Sequence, residues 1–111
     1  MMASDVWISF ITVSQADEAY SIAKTVVEEG LAACVNIIPA IRSIYLWKGE
    51  ICDDPEYLLI AKTTRDVFPL LKARVKALHS YEVPEIIAVP VQDGHEPYLA
   101  WVAECTGKKC S

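Results

Sequence analysis

The side chains best suited to chemistry gather late in the chain, in His79-Ser80-Tyr81-Glu82-Val83-Pro84-Glu85. An imidazole, a phenol and carboxylates this close together could hold a cation or handle a proton, and imidazole changes charge near neutral pH. His79 falls where a helix should end, and the helix dipole there favours a protonated ring. It reads equally as a metal ligand in a cleft and as a capping group bonded to carbonyls. Lys62 lies in an apolar stretch, where an unpaired ammonium is costly to bury. Glu56 shares its alternation face and is a candidate partner across a subunit boundary; a lysine snorkelling from a sheet edge is the plainer reading. Arg42 is a second cation nearby. Tyr45, Trp47 and Trp101 are aromatic anchors of the kind enriched at interfaces. Cys52-Asp53-Asp54, flanked by Glu50 and Glu56, could hold a divalent ion loosely, and His95-Glu96 is a weaker pair of the same sort. Both groupings read as well as solvated surface.

Enzyme chemistry finds little support. There is no glycine-rich phosphate loop, paired-histidine zinc motif or nucleophile elbow, so the expectation is a protein without catalytic activity. With 111 residues and a net charge of -5, the chain reads as one acidic domain that buries roughly two-thirds of its unfolded surface. It lacks the clustered basic residues that nucleic acid or an anionic membrane would require. Its hydrophobic share of 53% is high, yet no apolar run reaches the roughly 18 residues of a membrane span. The start, Met1-Met2-Ala3-Ser4-Asp5, has no basic signal-peptide region. The surplus apolar residues point instead to an oligomer interface. The four cysteines are unevenly spaced and read as free thiols of a reducing compartment, although Cys105 and Cys110 in the tail could bind metal adventitiously or oxidise.

The elements that must position these residues follow in order. Val6–Val13 is a continuous apolar run, as expected of a central strand. Ser14 with Asp17 suggests a capped helix start, and Ala16, Ala19, Tyr20, Ala23, Val26 and Val27 form a helical stripe that ends at Gly30. Two long strands then fold back about Lys48-Gly49, covering the stretch from Ala33 to Thr64. Pro39 marks a bulge or edge in the first arm, Cys52–Pro55 an irregularity in the second, and simple pairing sets Ile41 opposite Glu56 unless either proline shifts the register. A second helix should begin near Asp66, with Pro69 in its first turn and Val67, Leu71, Val75 and Leu78 on its buried face. A strand over Glu85–Val91 and a helix over Pro97–Glu104, with Tyr98, Trp101 and Val102 inward, complete the chain. The ordered core should span about residues 5–104, with a tail over 105–111.

The order β-α-β-β-α-β-α is the split arrangement of ferredoxin-like α+β folds. Right-handed connections put the first two helices on one face of the sheet. Neither face of the hairpin alternates cleanly between apolar and polar, as a sheet with one wet face should. The uncovered face therefore calls for a second copy of the chain.

Five segments together resemble the CutA family, the divalent-cation tolerance proteins. They are Gly30-Leu31-Ala32-Ala33-Cys34-Val35-Asn36, Ser43-Ile44-Tyr45-Leu46-Trp47 with Gly49, Lys62-Thr63, His79-x-Tyr81-x-x-Pro84-Glu85-Ile86 and Tyr98-x-x-Trp101. The resemblance implies a homotrimer similar to that of PII signal proteins, in which hairpin arms complete intersubunit sheets, and a location in the cytoplasm or an organelle. It also implies a part in tolerance of copper and other divalent ions. Family members with a described copper site use a cysteine where this chain has Ile11 and a histidine where it has Leu78, so only His79 matches.

The expected function is thus a non-enzymatic homotrimer that responds to divalent metal ions by binding them weakly or by docking a partner. The expected cleft lies between subunits and holds Lys62, Glu56, His79, Tyr81 and Glu85, with copper or zinc as the candidate ion. Two alternatives stand beside it. A PII-like sensor would hold a small anionic metabolite near Lys62 and Arg42, and a purely structural trimer would scaffold another protein.

Overall fold

Strand β1 (Val6–Val13) pairs antiparallel along both edges, with β3 (Glu50–Thr64) on one side and β4 (Ile86–Pro90) on the other. With β2 (Cys34–Trp47) beside β3, the computed structural model has one antiparallel sheet of order β2-β3-β1-β4. Helices α1 (Ala16–Glu28), α2 (Phe68–Leu78) and α3 (Glu96–Cys105) complete the expected ferredoxin-like order. The structure describes residues 5–107. The N-terminal start and the Lys108–Ser111 end, including Cys110, lie outside the described residues.

The core follows from the period of two in the strands. Ile11 and Val13 of β1 share one pleat face with Leu59 and Ala61 of β3. They pack against Ala19, Ile22 and Val26 of α1 and Leu71 and Val75 of α2. The stripe on α1 is rotated from the expected one: Ile22 is buried, whereas Tyr20 and Val27 are exposed. Val6 points to the opposite face and packs with Leu99, Val102 and Cys105 of α3. That helix thus covers one end of the face expected to be open, and its i, i+3, i+6 stripe turns Tyr98 and Trp101 outward. Cys105 and Thr106 are buried, so the body of the domain runs past Glu104. The rest of that face stays uncovered: Ile38, Ile87 and Val89 are exposed, and Ile8, Phe10, Leu58 and Ile60 are half-buried.

Hairpin geometry matches its local chemistry. Lys48 (φ 49°) and Gly49 (φ 80°) both take the left-handed conformation, the requirement of a tight turn that matches strand twist. Ile41 lies opposite Glu56, and the register shifts between Ile38 and Ile41. This is the bulge expected at Pro39, with Ala40 at φ 61°. The second arm has no matching irregularity, because Pro55 stays in register opposite Arg42. Ile44, Leu46, Trp47 and Ile51 near the tip are all exposed.

Two helix starts differ from expectation. Gln15 caps α1 and Val67 caps α2, neither through a side-chain hydrogen bond. Ser14 and Asp66 therefore do not serve as caps, and Pro69, which has no N–H to satisfy, eases the start of α2. The end of α1 is a Schellman closure at Gly30 (φ 71°), where Leu31 N–H reaches Val26 O at 2.8 Å and Gly30 N–H reaches Val27 O at 3.1 Å. Cys34 and Cys52 are free thiols. Cys105 is disulfide-bonded, which corrects the preferred reading of free thiols at that position and agrees with the alternative that the tail cysteines oxidise.

Candidate functional site

The segment after α2 turns back over the end of β1 because His79 anchors it there. The imidazole is buried, and its Nε2 lies 2.7 Å from Thr12 O. The Tyr81 backbone N–H donates to Nδ1 at 3.0 Å. A backbone N–H can only donate, so Nδ1 carries no proton and Nε2–H donates to the Thr12 carbonyl. Glu18 of α1 holds the same turn, accepting from Ser80 N–H at 2.8 Å and Ser80 Oγ at 3.1 Å. Its carboxylate also lies 3.7 Å from His79 Nδ1. With both ring nitrogens engaged, His79 sits as the carbonyl-bonded group considered from sequence. To ligate a metal it must give up one of these bonds.

Anchoring His79 sets Tyr81, whose ring lies 4.8 Å from the imidazole, centroid to centroid. The Tyr81 hydroxyl donates to Glu56 Oε2 at 2.6 Å. Burial, and after it the bond to Glu56, pushes the phenol pKa up to about 12. Glu56 itself is only 7% exposed.

These residues line a cavity of about 770 Å³ between the hairpin and the 79–85 loop, within the range typical of small-ligand sites. Its walls are Thr12, Ser43, Ile44, Tyr45, Trp47, Glu56, Tyr81, Glu82, Val83 and Glu85. Three carboxylates and three aromatic rings thus line it, and neither lysine nor arginine does. Of the residues expected in the cleft, Tyr81, Glu56 and Glu85 line this cavity, whereas His79 touches the Tyr81 ring without forming part of the wall; Tyr45 and Trp47, which were expected at an interface, line it too.

Two expected members lie elsewhere. Lys62 is hydrogen-bonded to Asn36 Oδ1, with Cys34 Sγ 3.9 Å away. It and Glu56 share a pleat face of β3, but Lys62 is not part of the cavity wall. Arg42 is clamped to Asp53, at 3.1 Å through Nε and 3.0 Å through Nη2. Trp101 lies over a second cavity, of about 500 Å³, with Val27, Gly30, Ala32, Ala33 and Cys105. The acidic residues around Cys52 are also committed: Asp53 to Arg42, Asp54 to the Tyr45 hydroxyl at 2.5 Å, and Glu56 to Tyr81. That bond to Asp54 is the main reason the Tyr45 phenol pKa is raised. Among the described residues, no three His, Cys, Asp or Glu side chains converge to hold a metal ion.

Sequence reasoning missed Thr12, Ser43 and Glu18. Thr12 and Ser43 are ordinary strand residues, and Glu18 reads as one more first-turn acid. Only Glu82, already noted beside His79, carried a local signal.

A four-stranded antiparallel sheet with paired helices, a protruding hairpin and an acidic, aromatic cavity between that hairpin and the loop after α2 defines a ferredoxin-like α+β protein. Within that class the chain belongs to the CutA1 divalent ion tolerance protein family, whose model matches residues 7–105. It is 55% identical over 100 residues to the divalent-cation tolerance protein CutA of Thermus thermophilus, covering 90% of this chain and 97% of that protein. It is 49% identical over 98 residues to the Homo sapiens protein CutA, covering 88% of this chain and 55% of that one. The chain thus spans almost all of the bacterial relative and about half the length of the human protein. Among solved structures, the divalent cation tolerance protein from Thermus thermophilus superposes with a TM-score of 0.90 at 54% identity, covering 92% of this chain and 99% of that chain. CutA1 from Oryza sativa gives 0.92 at 38% identity, covering 97% and 100%. The family name denotes tolerance of divalent ions and no enzyme class.

Proposed function

We propose that the protein acts in tolerance of divalent metal ions, copper among them, as a homotrimer without catalytic chemistry. Its cavity opens toward a neighbouring subunit, where it binds ions weakly or receives a partner. The observation that carries this reading is the pairing of two features: an aromatic cavity whose charged lining residues are all carboxylates and apolar hairpin and sheet surfaces that no other part of the described chain covers. Exposed contiguous apolar surface of this kind is typical of interaction sites. Carboxylates suit a divalent cation, and His79 joins them only by exchanging one of its two hydrogen bonds. A cytoplasmic location belongs to the same proposal and is checked by cell fractionation.

The charge of the lining disfavours the anionic-metabolite alternative. Arg42 and Lys62, the cations that reading needs, are tied to Asp53 and Asn36. Light scattering in dilute solution tests the assembly, and a monomer mass removes it. Calorimetric titration of copper and zinc into wild type, His79→Ala and Glu85→Gln tests ion binding. Identical isotherms for all three remove the cavity as the ion site.

A further inference from the structure

Glu56 is a charged side chain in an unusual position. It is 7% exposed, and among the described residues its single hydrogen bond comes from the Tyr81 hydroxyl, to Oε2. No salt bridge reaches it within the described chain. A carboxylate this buried ordinarily has a cationic partner, and Glu56 faces the cavity instead. Glu82 and Glu85 add negative charge on the same wall, and Tyr45, Trp47 and Tyr81 supply aromatic surface. The Trp47 ring already has an ammonium over it, with Lys48 Nζ 5.9 Å from its centroid. Carboxylates with aromatic faces form the combination that recognises organic cations, through charge and through the ring quadrupole.

We infer that this cavity is a binding site for an alkylammonium group, with Glu56 as its anchor. The inference names a ligand for the cavity that the preceding reading uses, but it rests on the geometry of one protomer and needs neither the trimer nor a metal. Glu56 Oε1 accepts from the ammonium while Oε2 keeps its bond to Tyr81, and Trp47 packs against the alkyl stem. A free amine and a lysine side chain from a second copy present the same chemistry, and Lys62 is the candidate for the latter.

The test is calorimetric titration of 1,4-diaminobutane into the full chain at low salt. Saturable binding is expected, weakened by added sodium chloride and absent for the neutral 1,4-butanediol. Glu56→Gln keeps an acceptor for Tyr81 and should lower affinity about tenfold. Trp47→Ala, on the exposed hairpin, should lower it about threefold and serves if the first variant folds poorly. Binding seen only in Lys62→Met assigns the position to the Lys62 ammonium of a second copy and upholds the ligand class. The inference is overturned by no saturable binding in both wild type and Lys62→Met, by equal affinity for the diol, or by unchanged affinity in both cavity variants. Copper binding without diamine binding also sinks it while leaving the ion reading intact; the reverse result removes the ion reading alone.

Discussion

The Tyr81 hydroxyl donates to Glu56 Oε2 across 2.6 Å, joining the loop after α2 to the middle of the longest strand. This bond closes one wall of the cavity and gives a buried carboxylate its donor. Tyr81→Phe removes the donor and leaves the ring, so it should destabilise the protein by about 1–2 kcal/mol, read by urea unfolding.

The same contact predicts behaviour in alkali. The folded phenol pKa of about 12 lies above its ordinary value of 10.0, so between those values the folded state holds a proton the unfolded state has lost. Stability from this group is complete below the unfolded pKa and falls as pH rises through the folded one. Ultraviolet titration should show Tyr81 ionising late. In Glu56→Gln the midpoint should move part of the way down, because burial, the larger cause, remains. An unchanged midpoint would assign the whole shift to burial.

His79 is held in one tautomer by Thr12 O and the Tyr81 N–H. Nitrogen-15 spectra of the neutral ring should show a protonated Nε2 and a bare Nδ1. His79→Ala breaks both bonds and should cost about 2 kcal/mol or more. A variant of unchanged stability would mean that these bonds do not hold the loop.

Helices α1 and α2 are tied by Arg74, whose Nε and Nη2 each lie 2.9 Å from a Glu29 oxygen. The hydrogen bond from Arg74 is the main cause holding the Glu29 pKa below its ordinary value. Its stabilisation is therefore present above the unfolded carboxylate pKa and lost as pH falls through the folded one. Both side chains are well exposed, so Arg74→Met should lower Tm by about 2 °C or less, and the difference should vanish in concentrated salt. A salt-independent loss would point to packing of the arginine stem.

Leu59 and Leu71 are fully buried where the sheet meets α2. Leu71→Ala should cost about 2–5 kcal/mol through lost transfer energy and the cavity left behind, measured by chemical denaturation. Leu70→Ala, one position away and exposed, should cost far less and serves as its control.

Much of the fold was legible because it depends on neighbours a few residues apart. The period of two set which strand residues face the helices, Lys48-Gly49 set the turn, and Pro39 set the bulge. With the turn placed, the pairing of Ile41 with Glu56 followed. The caps were not legible, since Ser14 and Asp66 have the right chemistry but the chain enters each helix later. The inner face of α3 depended on which stripe met Val6, since Tyr98 and Trp101 are as apolar as the Leu99 and Val102 that the structure buries.

The amino-acid sequence by itself determined the order of elements, the two-sided hairpin and the family, all carried by local pattern and motif. Only the tertiary structure decided that Glu56 is buried toward a cavity, that Arg42 and Lys62 stand outside it, and that both His79 nitrogens are engaged. The reason is contact distance along the chain: His79 meets Thr12 across 67 residues, and Ser80 meets Glu18 across 62. No spacing rule links residues that far apart; the packing of α1 and α2 on the sheet brings them together.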